Sequence, residues 1–265
     1  MRLALACLVA LACTGPALAE LKIQDIKPTY GPYGPERTSL KTYAGDSVFV
    51  SYTVTGVTTG KEGDIDIQMR IQLKNMAGQV LLNDQKPMGG FLALGGAEYR
   101  AYASVSFGAG YTPGTYVLAV SISDQLSKQT ASFERQIEVQ APDFAAINLQ
   151  FSLDADKKVS APGTLVRSQS LYIRLNVVGF DRSAMKLDLA MTVQALDENG
   201  KELMARPINS EVTSEDADQV AKATSATLNA NLTLNRTGNF RLRIQVQDKI
   251  KKKKIELLVP IKVVE

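Results

Sequence analysis

A segment near the middle of the chain recurs near its end without a gap. Pro113–Asp124, PGTYVLAVSISD, aligns with Thr237–Asp248, TGNFRLRIQVQD, at a constant offset of 124. Gly45–Val57 aligns with Ser168–Phe180 at an offset of 123, and Asp66, Met69, Gln72 and Gly78 find Asp188, Met191, Gln194 and Gly200 at 122. Three blocks in one order at nearly one spacing describe an internal duplication. Two homologous domains are therefore expected, 20–141 and 142–265, joined near Ala141-Pro142. The repeated residues are alternating apolar positions and turn residues with no chemistry in common, so the duplication constrains architecture and leaves function open.

The first nineteen residues stand outside the repeat. Arg2 precedes an apolar run from Leu3 to Ala12, followed by Gly15-Pro16 and the small tripeptide Ala17-Leu18-Ala19. This is the pattern of a secretory signal peptide, residues 1–19, cleaved before Glu20. The run is too short to span a bilayer, so no transmembrane segment is expected in the mature chain. An alternative makes Cys13 a lipid-anchored cysteine, but Ala10-Leu11-Ala12 lacks the leucine three residues upstream that such sites carry. The expectation is export, periplasmic or extracellular, from a bacterial cell. Cys7 and Cys13 are the chain's two cysteines, and both fall in the removed segment, which leaves a mature chain without thiol or disulfide. A repeat of this size buries roughly two thirds of its unfolded surface and needs no staple.

Histidine and tryptophan are absent. Missing histidine removes the commonest general base near neutral pH, the commonest zinc ligand and the middle member of a Ser-His-Asp triad. No nucleophile elbow, phosphate loop, dinucleotide fingerprint or EF-hand loop is present. The expectation is a protein that is not an enzyme and takes no cofactor and no metal. Paired acids at Asp64 and Asp66, Asp154 and Asp156, and Glu215, Asp216 and Asp218 are the nearest approach to a calcium or glycoside-hydrolase site. Calcium needs six or more oxygens, and a hydrolase needs two carboxylates across a cleft.

Period-two alternation dominates the chain. Tyr116, Leu118, Val120 and Ile122 share one strand face, and Phe240, Leu242, Ile244 and Val246 share the matching one, opposite Arg241, Arg243, Gln245 and Gln247. Such one-sided strands belong to antiparallel sheets with one wet face. Each ends at an aspartate, Asp124 or Asp248, suited to a turn because its carboxylate accepts bonds from amides further along. A last strand follows, Phe133–Val139 or Leu257–Val263. Further strands are expected at 47–54, 64–73, 79–82 and 99–107, with counterparts at 170–177, 186–195, 201–204 and 224–234. Asn199-Gly200 marks a tight turn, and only 214–222 suits a brief helix. About seven short strands per repeat make an all-β chain of two tandem antiparallel β-sandwiches. The Pro-Gly-x-Tyr-x-Leu-x-Val segment with its strand-ending aspartate resembles the penultimate strand of immunoglobulin-like and fibronectin-III-like domains of secreted bacterial proteins. That resemblance implies an Ig-like fold whose members serve adhesion, assembly, spacing and ligand binding, among which fold does not choose.

Two surface features stand out. Lys249, Lys251, Lys252, Lys253 and Lys254 crowd the tip of the last hairpin, with Arg241 and Arg243 on the strand before it. This is a candidate grip for an anionic polymer or membrane surface, or a solvated tip that guards an edge. Charge overall is near balance, with 11 basic against 12 acidic residues in 20–141 and 18 against 15 in 142–265, so no nucleic acid partner is expected. Tyr30, Tyr33 and Tyr43 form an aromatic stretch absent from the second repeat, either a contact surface or packing over a sandwich end. The loop 88–96 is also unique to the first repeat and is expected to cover a sheet. The leading reading is an exported, non-enzymatic binding, spacer or assembly protein with a protein or envelope-polymer partner. The alternatives are a carbohydrate-binding accessory unit or carboxylate-based glycoside hydrolase, and a binder of anionic surfaces through the lysine hairpin.

Overall fold

A computed structural model describes residues 19–265. All but the last residue of the expected signal peptide, with Cys7 and Cys13, lies outside the described residues. The described residues are all-β, with one short helix among sixteen strands. The first eight are β1 (Lys22–Thr29), β2 (Lys41–Thr42), β3 (Ser47–Thr55), β4 (Asp64–Asn75), β5 (Val80–Phe91), β6 (Glu98–Ser106), β7 (Gly114–Asp124) and β8 (Thr130–Val139). They form two sheets, β1-β3-β6 and β2-β8-β7-β4-β5. The second set is β9 (Ala145–Ser152), β10 (Thr164–Val166), β11 (Ser170–Val178), β12 (Leu187–Leu196), β13 (Ile208–Ser214), β14 (Ala226–Thr233), β15 (Gly238–Asp248) and β16 (Lys253–Val264), with α1 (Ala217–Lys222) before β14. Their sheets run β9-β11-β14 and β10-β16-β15-β12-β13. The two orders correspond strand for strand. In each set all pairings are antiparallel except the short β2 on β8 and β10 on β16, which are parallel. This is an Ig-like arrangement of three strands facing five.

Each pair of sheets encloses its own core. One runs from Leu21 to Val139, with Val48, Val50, Ile67, Leu118, Ile122 and Ile137 sealed from solvent. The other runs from Phe144 to Val263, with Leu171, Ile173, Leu189, Leu242 and Ile244 equally sealed. The alternation in β7 and β15 produces this directly, since the inward residues are buried and their neighbours are not. Side chains of this size contribute about 1.5–3 kcal/mol each when fully buried.

Equivalent turns are held by equivalent atoms. Asp124 and Asp248 are each 1% exposed. Asp124 accepts N–H bonds from Thr58, Leu126 and Ser127 at 2.8, 2.8 and 3.2 Å. Asp248 accepts them from Asp181, Ile250 and Lys251 at 2.8, 2.9 and 3.0 Å. Burial raises the Asp124 carboxyl, but the amides of Thr58, Ser127 and Leu126 outweigh it and hold the group below its ordinary value. Gly56 and Gly179 are matched as well, at φ +73° and +67°. A Cβ on either would come within 2.2 Å of the carbonyl of Glu20 or Asp143, where the chain enters each sandwich.

Three expectations need correction. The strand expected at 201–204 is only an isolated bridge between Leu196 and Glu202, and the edge strand is β13, further on. The turn before it is real: Gly200, at φ +87°, bonds back to the Asp197 carbonyl. Residues 79–82 open a far longer strand, β5, which takes in Met88 to Phe91. The loop 88–96 covers its sheet in part only, because Met88 and Leu92 pack on the first core while Phe91 and Leu94 stand in solvent. The first strand of each sandwich, β1 and β9, is absent from the expected set.

Candidate functional site

The tyrosine stretch lies where the two sandwiches meet. Tyr30 packs on the second core, its ring 6.1 Å from that of Phe151 in an edge contact. The Arg37 guanidinium sits 5.6 Å from the Tyr30 ring centroid. Burial raises the Tyr30 phenol, and Arg37 partly offsets this. Arg37 also pairs with Asp46 at 3.1 Å. Asp46 is 4% exposed and fully bonded. It accepts from the Thr42 hydroxyl at 2.6 Å and the Ser47 N–H at 2.9 Å. From the second sandwich it takes the N–H of Asn148 at 2.7 Å. The Asn148 amide donates in turn to the Gly45 carbonyl at 2.8 Å. A buried carboxylate with every lone pair occupied is worth keeping, because breaking one partnership leaves an uncompensated charge. Asp46 thus ties the sandwiches together.

Beside this junction a groove of about 890 Å³ runs between the two sandwiches. Its floor is the outer face of β1, β3 and β6, presenting Lys27, Ser51, Thr53 and Arg100. Its far wall is the turn end of the second sandwich, with Glu198, Asn239, Phe240, Arg241 and Lys262. Asp25 and Glu36 complete the acidic complement. Lys27 lies 3.8 Å from Glu36. The Asn239 amide donates to the Glu198 carboxylate at 3.0 Å, and Arg241 donates to the Glu198 carbonyl at 2.6 Å.

Tyr33 stands in this groove and is held there from several sides. Its N–H donates to the Ser51 hydroxyl at 3.2 Å, and its carbonyl accepts the Gly163 N–H at 2.9 Å. Its hydroxyl donates to the Arg100 carbonyl at 3.0 Å. The ring meets Tyr102 edge-on at 5.4 Å and lies 5.4 Å from the Arg100 guanidinium. Burial, then Tyr99 and Tyr102, raise its phenol, so it stays protonated at neutral pH. Tyr33 has φ +54°, a left-handed conformation that costs a bulky residue about 1–3 kcal/mol. Gly34 permits the tight fold-back, since a Cβ there would sit 2.0 Å from the Tyr30 carbonyl oxygen.

Of the other nominated residues, Arg241 lines the groove wall and the rest scatter. Tyr43 does not line the groove. The lysine tip is partly spent: Lys249 pairs with Asp188 and Glu211 at 3.1 and 3.0 Å, and Lys253 pairs with Asp143 at 2.5 Å. Lys253, then the Phe144 amide, hold the Asp143 carboxyl low. Lys251, Lys252 and Lys254 remain exposed. Arg241 and Arg243 do not extend the tip. Arg243 is bound to Glu202, and Gln245 pairs with Glu256 at 2.7 Å between it and Lys254. None of the paired acids lines the groove, and several serve local structure. Asp154 accepts N–H bonds from Lys158 and Val159, Asp216 caps α1, and Glu215 pairs with Lys186.

Reasoning from the sequence picked out Tyr33 and, as part of the lysine patch, Arg241, but missed Asp25, Arg100, Glu198, Phe240 and Lys262, which converge only through the docking of one sandwich on the other. Among the described residues no helix is long and apolar enough to cross a membrane.

No family model matches the chain, and no curated protein does. Solved structures similar to it include red sea bream transglutaminase, at 8% identity and a TM-score of 0.27 over 94% of this chain and 32% of that one. The C-terminal domain of the Streptococcus agalactiae AgI/II polypeptide BspA matches at 11% identity and 0.29, over 91% and 99%. Dimeric latent PorU from Porphyromonas gingivalis matches at 10% and 0.38, over 96% and 21%. The chain therefore spans under a third of the transglutaminase and about a fifth of PorU. Likeness of this degree carries no argument about function.

Proposed function

We propose that this is an exported, non-enzymatic binding protein, and that it takes its ligand in the groove between its two immunoglobulin-like sandwiches. The observation that carries the reading is Tyr33. A bulky residue in a left-handed conformation, fixed by three hydrogen bonds and presented in the groove between the sandwiches, is strain placed at a binding surface. The domains are read as duplicated units, 20–141 and 142–265, of which the first supplies the floor and the second the wall. Periplasmic or extracellular residence follows from the leader.

The test is blockade. Thr53→Trp places an indole on the groove floor at a half-buried position of β3. Wild type and variant, matched in circular dichroism and melting temperature, are immobilised and exposed to envelope extract. Saturable binding to wild type that falls about tenfold or more in the variant supports the reading. Binding of equal strength to both would place the function elsewhere on the surface. The alternative through the lysine tip predicts binding that collapses with salt and disappears on replacing Lys251 and Lys252 by glutamine.

A further inference from the structure

Resting on that groove, we infer that the ligand it selects is a short, neutral oligosaccharide. Both signs of charge are interleaved along the lining: Lys27, Arg100, Arg241 and Lys262 alternate with Asp25, Glu36 and Glu198. A polyanion would meet three carboxylates, and a polycation four cationic groups, so neither gains from the field as a whole. Neutral hydroxyls, each both donor and acceptor, suit such a lining, because a carboxylate accepts from them and a guanidinium or ammonium donates to them. Thr53, Thr164 and Asn239 add uncharged partners.

The rings supply the second half of the argument. Tyr33 and Phe240 line the groove from opposite sandwiches. The C–H bonds on one side of a pyranose ring form an apolar, weakly positive face, which packs on the negative face of an aromatic ring. Phe240 packs against the second core but is covered less completely than its partner in the first sandwich. The matched Tyr116 is buried, and its hydroxyl donates to the Thr112 carbonyl at 2.8 Å. Phe240 has no hydroxyl to anchor and is only half-buried, in the groove wall.

An extended peptide fits less well. Peptides commonly bind by adding a strand to a free sheet edge, whereas this floor is a sheet face. Of the sheet edges it borders, β1 is interrupted by a bulge between Gln24 and Lys27, β6 has its Arg100 carbonyl taken by the Tyr33 hydroxyl, and β10 is three residues long; bulges, covering groups and shortness blunt an edge against added strands. The volume lies within the range that encloses a drug-sized ligand, which matches a few sugar units rather than a long polymer.

The experiment is amide-resolved NMR of the isotope-labelled chain from Glu20 to Glu265. The probes are the neutral hexasaccharides of glucose, mannose, xylose and N-acetylglucosamine, polygalacturonate and an extended neutral peptide, at low and high salt. The expected result is that at least one neutral hexasaccharide shifts Tyr33, Arg100 and Phe240 with little salt dependence. Tyr33→Ala and Phe240→Ala should each weaken it by about tenfold or more, while Lys251→Gln should not. Should polygalacturonate or the peptide shift these amides where no neutral sugar does, the saccharide inference fails and the groove stands. Should no probe perturb the groove, or should a bound sugar shift only distant amides, the saccharide inference fails, and in the second case the groove falls with it.

Discussion

Asp124 and Asp248 occupy matched places in the two sandwiches and hold the same turn with the same three kinds of bond. Tyr116 and Phe240 are matched too, yet one anchors a loop inside its own sandwich and the other faces the groove. Asp46 ties the junction, whereas its counterpart Gln169 uses its side chain for the nearby Val166 N–H. The bulge at Asp25, φ +50°, lines the groove, while the matching bulge at Asn148, also φ +50°, docks on the first sandwich. Positions that shape each sandwich have stayed alike, and positions where the sandwiches meet have diverged. The junction is built from differences between two similar objects, so the second sandwich does not offer a third the same dock.

The largest effect should come from the shared turn. Asp124→Ala and Asp248→Ala each strip three backbone donors of their acceptor, and each should cost about 3 kcal/mol or more in its own sandwich. Calorimetry would resolve this as one transition moving while the other stays. Unequal losses would break the equivalence. Asp46→Ala comes next, at about 2–3 kcal/mol, with a wider spread of inter-sandwich distances by scattering, whereas Gln169→Ala should cost under about 1 kcal/mol. Acid sharpens the comparison further. The folded carboxyl of Asp124 lies below its unfolded value, so its stabilisation is complete above about pH 3.9 and is lost as pH falls toward the folded value. Urea midpoints of the first transition should fall in that window, and Asp124→Asn should remove this component. Smaller still, Tyr116→Phe should cost about 1 kcal/mol, and the reciprocal Phe240→Tyr should stay within about 0.5 kcal/mol.

Much of this was legible in the residues. Strands β7, β15, β3 and β11 obey strict alternation, and alternation is visible without a structure. Strands β1 and β9 were not legible because their bulges break the period. Ile23 and Ile26 both reach the first core, and Ala146 and Leu149 the second, three residues apart where an unbroken strand would place them two or four apart. The edge strand β13 was displaced because the chain after Gly200 makes only the Glu202 bridge to Leu196 and the Leu203 bond to Ala195 before it rejoins the sheet at Ile208. The groove depends on the docking of Asn148 and Gly163 on the first sandwich, and periodicity does not register a contact between separately folded sheets.

The parallel seams of β2 on β8 and β10 on β16 carry a consequence for assembly. Each joins a segment from early in a sandwich to its final strand, so neither sandwich closes until residues 130–139 or 253–264 have arrived. Sheets dominated by such distant partners fold over milliseconds to seconds. On the export route proposed for this chain, that delay would keep the polypeptide threadable during a membrane crossing, and closure, with the groove, would be deferred to the far side.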